Sequence, residues 1–348
     1  MKKYFWQKSF YLFTIPLILF NNSCSREHPP ISETKILLGT FVTITSYDFI
    51  LNKSIIHSAI DSAFAAISKI ESITNPYDSA SEVSLINQKS SSQTGFPLSR
   101  DLEILMKHAM EMSRATNGSF DCTLWPVFKL WNFHSETNIP PSAKDINHNL
   151  NFVGFQKVEL DSSSLTFNQR GMEVDLGGIV KGYAVEIARK ILLRNGLETF
   201  LIDAGGNLGV ECNGDIPVQI FVRHPRMNGE YWCNFKIDKS MGIATSGDYQ
   251  FYFTYQGERY HHILNPGTGY PVRHTISATI LAPDAIRADG YSTAVFVMGP
   301  DKGSKFVDTN EDLEGIIIYP FQNQLNTFIS AGLKNRIDFF ANEKNTQK

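Results

Sequence analysis

The sequence predicts a globular protein built from both helices and strands, and three stretches carry that prediction. Ile56, Ile60, Phe64, Ile67 and Ile70 recur at helical spacing and mark an amphipathic helix. Residues 199–204 are a short apolar run of buried-strand type that stops at Gly205-Gly206-Asn207. Between them, residues 171–174 read as a short strand and Gly177-Gly178 as a turn. Ile179, Tyr183, Ile187 and Ile191 then form one face of a helix that Asn195-Gly196 stops, Gly196 suiting a left-handed cap. A chain of 348 residues is long enough for one large or two medium domains.

The remaining elements follow in order. Lys2, Lys3, an apolar run over residues 10–20 and Asn21-Asn22-Ser23-Cys24-Ser25 have the layout of a secretory signal. The run is too short for a comfortable membrane span. Cys24 stands where a bacterial lipoprotein signal places its lipidated cysteine, so residues 1–23 are expected to be a signal peptide and Cys24 to carry a lipid. A plain cleaved signal with an incidental cysteine is the alternative. Residues 24–34 are polar, contain proline and read as a tether, and residues 36–47 alternate as a first strand. Thr74-Asn75-Pro76-Tyr77 ends the first helix, and residues 79–87 are a polar segment. Ser99 has the place of an N-cap for a second helix carrying Leu102, Leu105, Met106 and Ala109, which runs out at Asn117-Gly118. Trp125, Phe128, Leu130, Trp131 and Phe133 are expected to pack locally, and residues 135–149 to form a polar surface insertion. Residues 216–222 make a strand, and an aromatic hairpin follows residues 244–249. Residues 276–282 make another strand, Pro283 opens a helix in its first turn, and residues 315–319 and 325–330 are a closing pair of strands.

Charge excludes one class of function. The balance of 32 basic and 35 acidic residues gives no electrostatic case for nucleic acid. Cys122, Cys212 and Cys233 are odd in number and contain no Cys-x-x-Cys pair, which argues against a disulfide scaffold or a zinc site while leaving one bridge open.

Several stretches carry possible chemistry. Two glycines let the backbone at 177–178 approach a ligand, and a helix start presents free amide N–H groups that favour an anion. Lys181 puts a cation in that first turn, where helix electrostatics alone prefers an acid, and so suggests a bound anion. A tight turn with no ligand is the other reading, and the Gly-x-x-x-x-Gly-Lys-Ser/Thr spacing of a P-loop is absent. Asp175 is placed to face a base edge, a hydroxyl or a metal. Ser119-Phe120-Asp121 is either the edge of a ring-binding site or an aromatic anchoring its loop. His261 and His262 precede a Pro/Gly loop and are candidates for base work, or for one hydrogen-bonded and one solvent-facing ring. Successive residues of an extended strand face opposite ways, so only one of them can face a cleft. Asp289 and Thr293, four apart on one helix face, suit a hard cation such as magnesium, or serve as surface or capping groups.

Together these motifs form an ordered pattern. Leu38-Gly39-Thr40, Tyr77 with Ser84 and Asn87, Gly118-Ser119-Phe120-Asp121, Asp175-Leu176-Gly177-Gly178 with Lys181-Gly182, Gly205-Gly206-Asn207, Thr245-Ser246-Gly247, His262-Ile263 with Pro266 and Thr268-Gly269, and Ala288-Asp289 with Thr293 fall in succession. This succession resembles the ApbE family, the FAD:protein FMN transferases, over residues 35–335. The resemblance implies a single α+β domain, T-fold-like, with mixed sheets and packed helices, holding FAD in a cleft with Mg²⁺. It implies an enzyme that moves the FMN half of FAD onto a Thr or Ser hydroxyl of a partner protein through a phosphoester, releasing AMP. On that resemblance, Asp289 and Thr293 are magnesium ligands by side chain and Gly178 by its carbonyl. Leu38, Tyr77, Ser119, Phe120, Asp121, Asp175, Lys181, His262 and Ile263 line the FAD site, and Thr245-Ser246-Gly247 borders it. His262 is the candidate base. The partners implied are acceptor subunits of membrane redox complexes, met at the periplasmic side of the inner membrane through the lipid anchor. Two positions depart from the family pattern: Asn265, where Asp is usual after His-Ile-x, and Leu38, where Met is frequent. The competing readings are an FAD pyrophosphatase using water and a non-catalytic flavin-binding lipoprotein.

Overall fold

Leu38 and Gly39 both take positive φ, 55° and 68°, and a two-residue turn of that hand matches the twist of a hairpin. The stretch expected as one strand is therefore two, β1 (Ile31–Leu37) and β2 (Thr40–Ser46), paired antiparallel. β1 takes in residues 31–34, which read as tether from composition. The computed structural model describes residues 29–90, 95–133, 139–161, 163–212 and 217–340. The signal segment with Cys24, and residues 135–138 of the polar insertion, lie outside the described residues.

The helical period is realised in α1 (Lys53–Thr74), which buries Ile56, Ile60, Phe64, Ile67 and Ile70 and is capped by the Asn52 side chain. The polar segment that follows is not irregular: Ser81 caps α2 (Glu82–Gln88), a short helix that buries Val83 and Ile86. After β3 (Phe96–Pro97), Ser99 caps α3 (Arg100–Ala115) as its position predicts. The aromatic run is α4 (Trp125–Trp131), and the insertion holds a helix, α5 (Ala143–Leu150), with Ile146 buried. These two do not pack only on each other, because Phe253 and Leu264 from far along the chain complete their cluster. β4 (Val158–Asp161) and β5 (Ser164–Phe167) form a small sheet with β3.

Residues 171–174 do not form a strand; among them only Glu173 makes an isolated bridge, to Leu124. α6 (Val180–Arg194) follows and ends at Gly196 with φ 84°. Then come β6 (Phe200–Ala204), β7 (Asn207–Glu211), β8 (Val218–Arg223), β9 (Tyr231–Ile237) and β10 (Met241–Gly247). The aromatic hairpin is β11 (Tyr252–Tyr255) with β12 (Glu258–His261). β13 (Ser277–Ala282) leads to α7 (Ala285–Thr309). Pro283 stands ahead of this helix rather than in its first turn. The cap is Asp284, whose side chain accepts from the Arg287 N–H, and the helix breaks at Gly299, φ 80°, before Pro300. β14 (Glu314–Phe321), β15 (Gln324–Ile329) and β16 (Ile337–Phe339) close the chain.

Eight strands form the main sheet in the order β1-β2-β6-β7-β10-β13-β14-β15, and every ladder among the described residues is antiparallel. One face meets α7 through Ala244, Ala278, Ile280, Val295 and Phe296. The other face packs on the three-stranded sheet β16-β9-β8 through Ile243, Ile316, Trp232 and Phe235. All six residues of β13 are buried, as befits a strand covered on both faces. The chain is thus one α+β domain in which α1 and α6 share a second core with β2 and β6. No described helix is long and apolar enough to cross a membrane. Cys122, Cys212 and Cys233 are buried and no disulfide joins them.

Candidate functional site

The turn at 175–178 is held from both sides. Asn87, 8% exposed, clamps the backbone of Val174, donating to its carbonyl at 2.9 Å and accepting from its N–H at 2.8 Å. A side-chain amide thus supplies the pairing that a neighbouring strand would give. The Asp175 N–H donates to the Cys122 carbonyl at 2.8 Å, and its Oδ1 accepts from the Gly177 N–H at 3.0 Å. Burial pushes the Asp175 carboxyl up, against the opposing pull of the Gly177 and Leu176 amides and of Lys181. A Cβ on Gly178 would lie 3.1 Å from Phe120 Cε2 and 3.4 Å from Thr293 Oγ1, so this backbone sits between the aromatic loop and α7.

The anion that the start of α6 attracts comes from the chain itself. Asp289, 3% exposed on α7, accepts from the Gly182 N–H at 2.8 Å through Oδ2. Gly182 is needed for this approach: a Cβ there would fall 2.2 Å from the Ala285 carbonyl and 2.7 Å from Asp289 Cβ. Burial raises the Asp289 carboxyl, while Lys181 and the amides of Gly182 and Lys181 lower it. The site is rich in oxygen and short of counter-charge. Thr293, one turn along α7, completes the pair that the spacing predicts. Among the described residues no group of three His, Cys, Asp or Glu side chains is placed to hold a metal ion. The donors gathered here are one carboxylate, hydroxyls and backbone, a set that fits Mg²⁺ rather than zinc.

β10 extends past β7: its last paired residue on that side is Ala244, opposite Asn207, whereas Thr245, Ser246 and Gly247 pair only with β13. Ser246 Oγ lies 2.9 Å from Ser292 Oγ and 3.3 Å from Thr293 Oγ1, and Thr245 Oγ1 lies 2.9 Å from Thr279 Oγ1. Ser246 therefore stands against the Ser292–Thr293 turn of α7, while Thr245 turns to the other face of β10 beside Thr279. Gly205, φ 64°, packs against Thr40 at 2.4 Å from a built Cβ to Oγ1, so the 38–39 and 205–206 turns stand together at one end of the sheet. The Leu38 N–H in that pair donates to Glu71 Oε1 at 2.9 Å.

The aromatic loops divide between shaping and facing. Phe120 is 4% exposed and belongs to the core, so it anchors its loop and presents only a ring edge at Gly178. The Ser119 N–H is held by the Thr116 carbonyl at 3.0 Å. Asp121 is committed to its own loop: Oδ1 accepts from the Thr123 N–H at 2.8 Å and hydroxyl at 2.6 Å, and Oδ2 from the Phe155 N–H at 3.0 Å. Tyr77 is 61% exposed, stands edge-on to Trp125 with ring centroids 5.2 Å apart, and lines an open groove with Trp125, Lys129 and Glu173. Partial burial and the Asp175 charge push its phenol up to about 12. Its loop is fixed by the Ser81 and Ser84 hydroxyls, which donate to the carbonyls of Asn75 at 2.6 Å and Pro76 at 2.9 Å.

The two histidines face opposite ways. His261 is 3% exposed; its Nε2–H donates to the Val272 carbonyl at 2.5 Å and its Nδ1 accepts from the Ile263 N–H at 3.2 Å. Both nitrogens serve the neutral ring, and burial lowers its pKa. His262 turns outward against Phe251, and its Nδ1–H donates to the Phe251 carbonyl at 3.3 Å, which puts the lone pair on Nε2. Ile263 is 6% exposed and packs into the α7 core, so it supports His262 from beneath. The loop that follows is tied down by the Trp131 indole N–H, which donates to the Gly269 carbonyl at 2.9 Å. Asn265 Oδ1 accepts from the Gly267 N–H at 2.8 Å, a local turn bond that an amide makes as well as a carboxylate.

A model of the ApbE family matches residues 38–317. The chain belongs to the ApbE family. Its relatives include the FAD:protein FMN transferase of Haemophilus influenzae, 29% identical over 86% of this chain and 89% of that protein. The protein of the same name from Vibrio cholerae is 30% identical over 68% of this chain and 72% of its own length. Among solved structures, the ApbE protein of Thermotoga maritima superposes with a TM-score of 0.80 at 30% identity, covering 88% of this chain and 99% of its own. Two residues that shape this region are ones that spacing alone passed over. Asn87 sat in a polar segment with no pattern of its own, although the family succession includes it. Ser292 was legible, since it stands three residues after Asp289 on the same helical face.

Proposed function

We propose that the chain is an FAD:protein FMN transferase that uses Mg²⁺ to pass the FMN moiety of FAD to a Thr or Ser hydroxyl of a separate acceptor protein, with AMP leaving. The observation that carries this reading is the convergence of Asp289, Thr293, Gly178 and Lys181 at the start of α6. Membership of the ApbE family, whose relatives bear this activity in their names, supports it.

Asp289 and Thr293 would hold the cation by their side chains and Gly178 by its carbonyl. Bound there, Mg²⁺ supplies charge neutralisation at the pyrophosphate, which phosphoryl transfer needs more than covalent help. Lys181 adds a second positive charge beside it. Asp175, Phe120 and Tyr77 surround the nucleotide. The Nε2 of His262 takes the proton of the acceptor hydroxyl while its oxygen bonds to the FMN phosphorus. The bond from that phosphorus to the AMP oxygen breaks, and AMP carries away the electron pair. No Asp-x-x-Ser/Thr-Gly/Ala-Ala-Thr acceptor pattern occurs in the chain, so the acceptor is another protein. A lipid on Cys24 would place the reaction at the periplasmic face of the inner membrane, beside subunits of membrane redox complexes.

The test is incubation with FAD, Mg²⁺ and a candidate acceptor. Flavin fluorescence is then read on the acceptor band and AMP by nucleotide analysis. Transfer requires both signals, and both must vanish when the acceptor hydroxyl is removed. AMP release of equal size without acceptor, and no fluorescent band with it, would replace transfer by hydrolysis.

A further inference from the structure

Three hydroxyl groups run in file from the proposed cation site into the protein. Thr293 Oγ1 lies 3.3 Å from Ser246 Oγ, which lies 2.9 Å from Ser292 Oγ, which lies 2.8 Å from the Asp289 carbonyl oxygen. Each hydroxyl has one proton to give, and the carbonyl at the end can only accept. Ser292 therefore donates to the carbonyl, and its single proton is spent. In the next contact Ser246 must be the donor, and in the one after it Thr293 must be. Three contacts and three protons leave one arrangement that satisfies all of them. Ser292 is 1% exposed, so bulk water offers it no substitute partner.

The direction of this file has a chemical result. A hydroxyl that ligates a cation must present a lone pair, and a proton pointed at the metal would oppose binding. With its proton turned toward Ser246, Thr293 keeps its lone pairs for the side where Gly178 lies, 3.4 Å from Oγ1 to a built Cβ. The file ends on the backbone of Asp289, the other proposed ligand, so it ties the two ligands to one another through two β10 and α7 hydroxyls. We infer that Ser246 and Ser292 are positioning residues that orient the Thr293 hydroxyl as an acceptor toward a divalent cation. This inference rests on the magnesium reading above.

The experiment is titration of Mg²⁺ into the purified full chain with FAD present and acceptor absent, followed by calorimetry, with thermal melting as a control for folding. Ser246→Ala should raise the Mg²⁺ dissociation constant by roughly two- to tenfold, the worth of one hydrogen bond. Ser292→Ala, one step further along the file, should move it in the same direction by less. Ser246→Thr keeps the hydroxyl and should restore binding. In a Thr293→Val background, Ser246→Ala should add nothing, because the residue acts through Thr293. Should Ser246→Ala fold poorly, Ser292→Ala in the presence and absence of Thr293→Val asks the same question. Absence of Mg²⁺ binding by the unmutated chain would remove the magnesium reading itself. Binding by the unmutated chain with unchanged affinity in both Ser→Ala variants, or equal losses with and without Thr293, would overturn the positioning role alone.

Discussion

Asp289, proposed as a cation ligand, also serves a helix. Its Oδ2 accepts from the Gly182 N–H at the start of α6, so removing the side chain also uncaps that helix. Asp289→Ala is expected to lower stability by about 1 kcal/mol, the usual worth of an N-terminal cap, in addition to ending Mg²⁺-dependent turnover. Asp289→Asn keeps an acceptor for that N–H and should hold most of the melting temperature while losing turnover just as fully. Equal melting losses in the two variants would show that the charge, and not the hydrogen bond, stabilises α6. The histidines separate in the same manner. A hydroxyl is a poor nucleophile at neutral pH, and a positioned base contributes about a hundredfold to ten-thousandfold. His262→Ala should cost that much in transfer rate, with FAD affinity retained, and a loss explained wholly by FAD affinity would make His262 a binding group. His261 belongs to stability. Its folded pKa is lowered by burial, so below about 6.5 the unfolded chain takes up a proton that the folded chain refuses. Stability should therefore fall as pH drops below that value, and His261→Gln should flatten the fall in melting temperature between pH 7 and 5.5. An unchanged slope would mean that the ring is protonated in the fold.

At the scale of elements, the glycines of the central turn fail in different ways. A Cβ at Gly182 meets backbone, the Ala285 carbonyl at 2.2 Å, and backbone has no rotamer by which to yield. Gly182→Ala should thus push α6 off α7 and cost about 1–3 kcal/mol, the range for overpacking. A Cβ at Gly178 meets only side-chain atoms of Phe120 and Thr293 at 3.1 Å and beyond, which can shift by a few tenths of an ångström. Gly178→Ala should leave the melting temperature nearly intact and depress turnover, because the atoms that move belong to the site. The reverse ranking in a paired melt and assay would misplace the turn. The same elements show what the sequence could say. α1, α3 and α6 were legible because one apolar face repeats and a Ser, an Asn or a Gly marks an end. α2 escaped because only Val83 and Ile86 are apolar and buried in seven residues, too few for a period. The hairpin at Leu38-Gly39 escaped because alternation continues in phase across a two-residue turn, and Leu is a rare occupant of positive φ. Residues 171–174 looked like a strand, yet Val174 is paired by the Asn87 side chain, more than eighty residues away, and no local pattern announces that. At the site, the Asp289–Thr293 pair was visible as an i, i+4 spacing, whereas its union with Gly182 depends on α6 crossing α7.

At the scale of the whole molecule, the anchor proposed at Cys24 would set how near a membrane the domain stands. β1 begins at Ile31, seven residues after Cys24, and an extended chain advances about 3.3–3.6 Å per residue. A lipid on Cys24 would then keep the start of the main sheet within about 25 Å of the bilayer surface. So short a reach would favour acceptor hydroxyls exposed close to the membrane and disfavour distant soluble ones. Cys24→Ser should move the protein from the membrane to the soluble fraction, and mass spectrometry of the unmutated chain should find the lipid on Cys24. The variant should also separate place from chemistry. The groups proposed for catalysis lie between Tyr77 and Thr293, all within the folded domain, so turnover on a soluble acceptor fragment should be unchanged by Cys24→Ser. Modification of a membrane-embedded acceptor in cells should fall, because the enzyme is diluted from a surface into a volume and the effective concentration drops. A Cys24→Ser protein that stays with the membrane, from a parent without lipid, would end the anchor assignment. Loss of turnover on the soluble fragment would instead show that the residues ahead of β1 support the fold of the site.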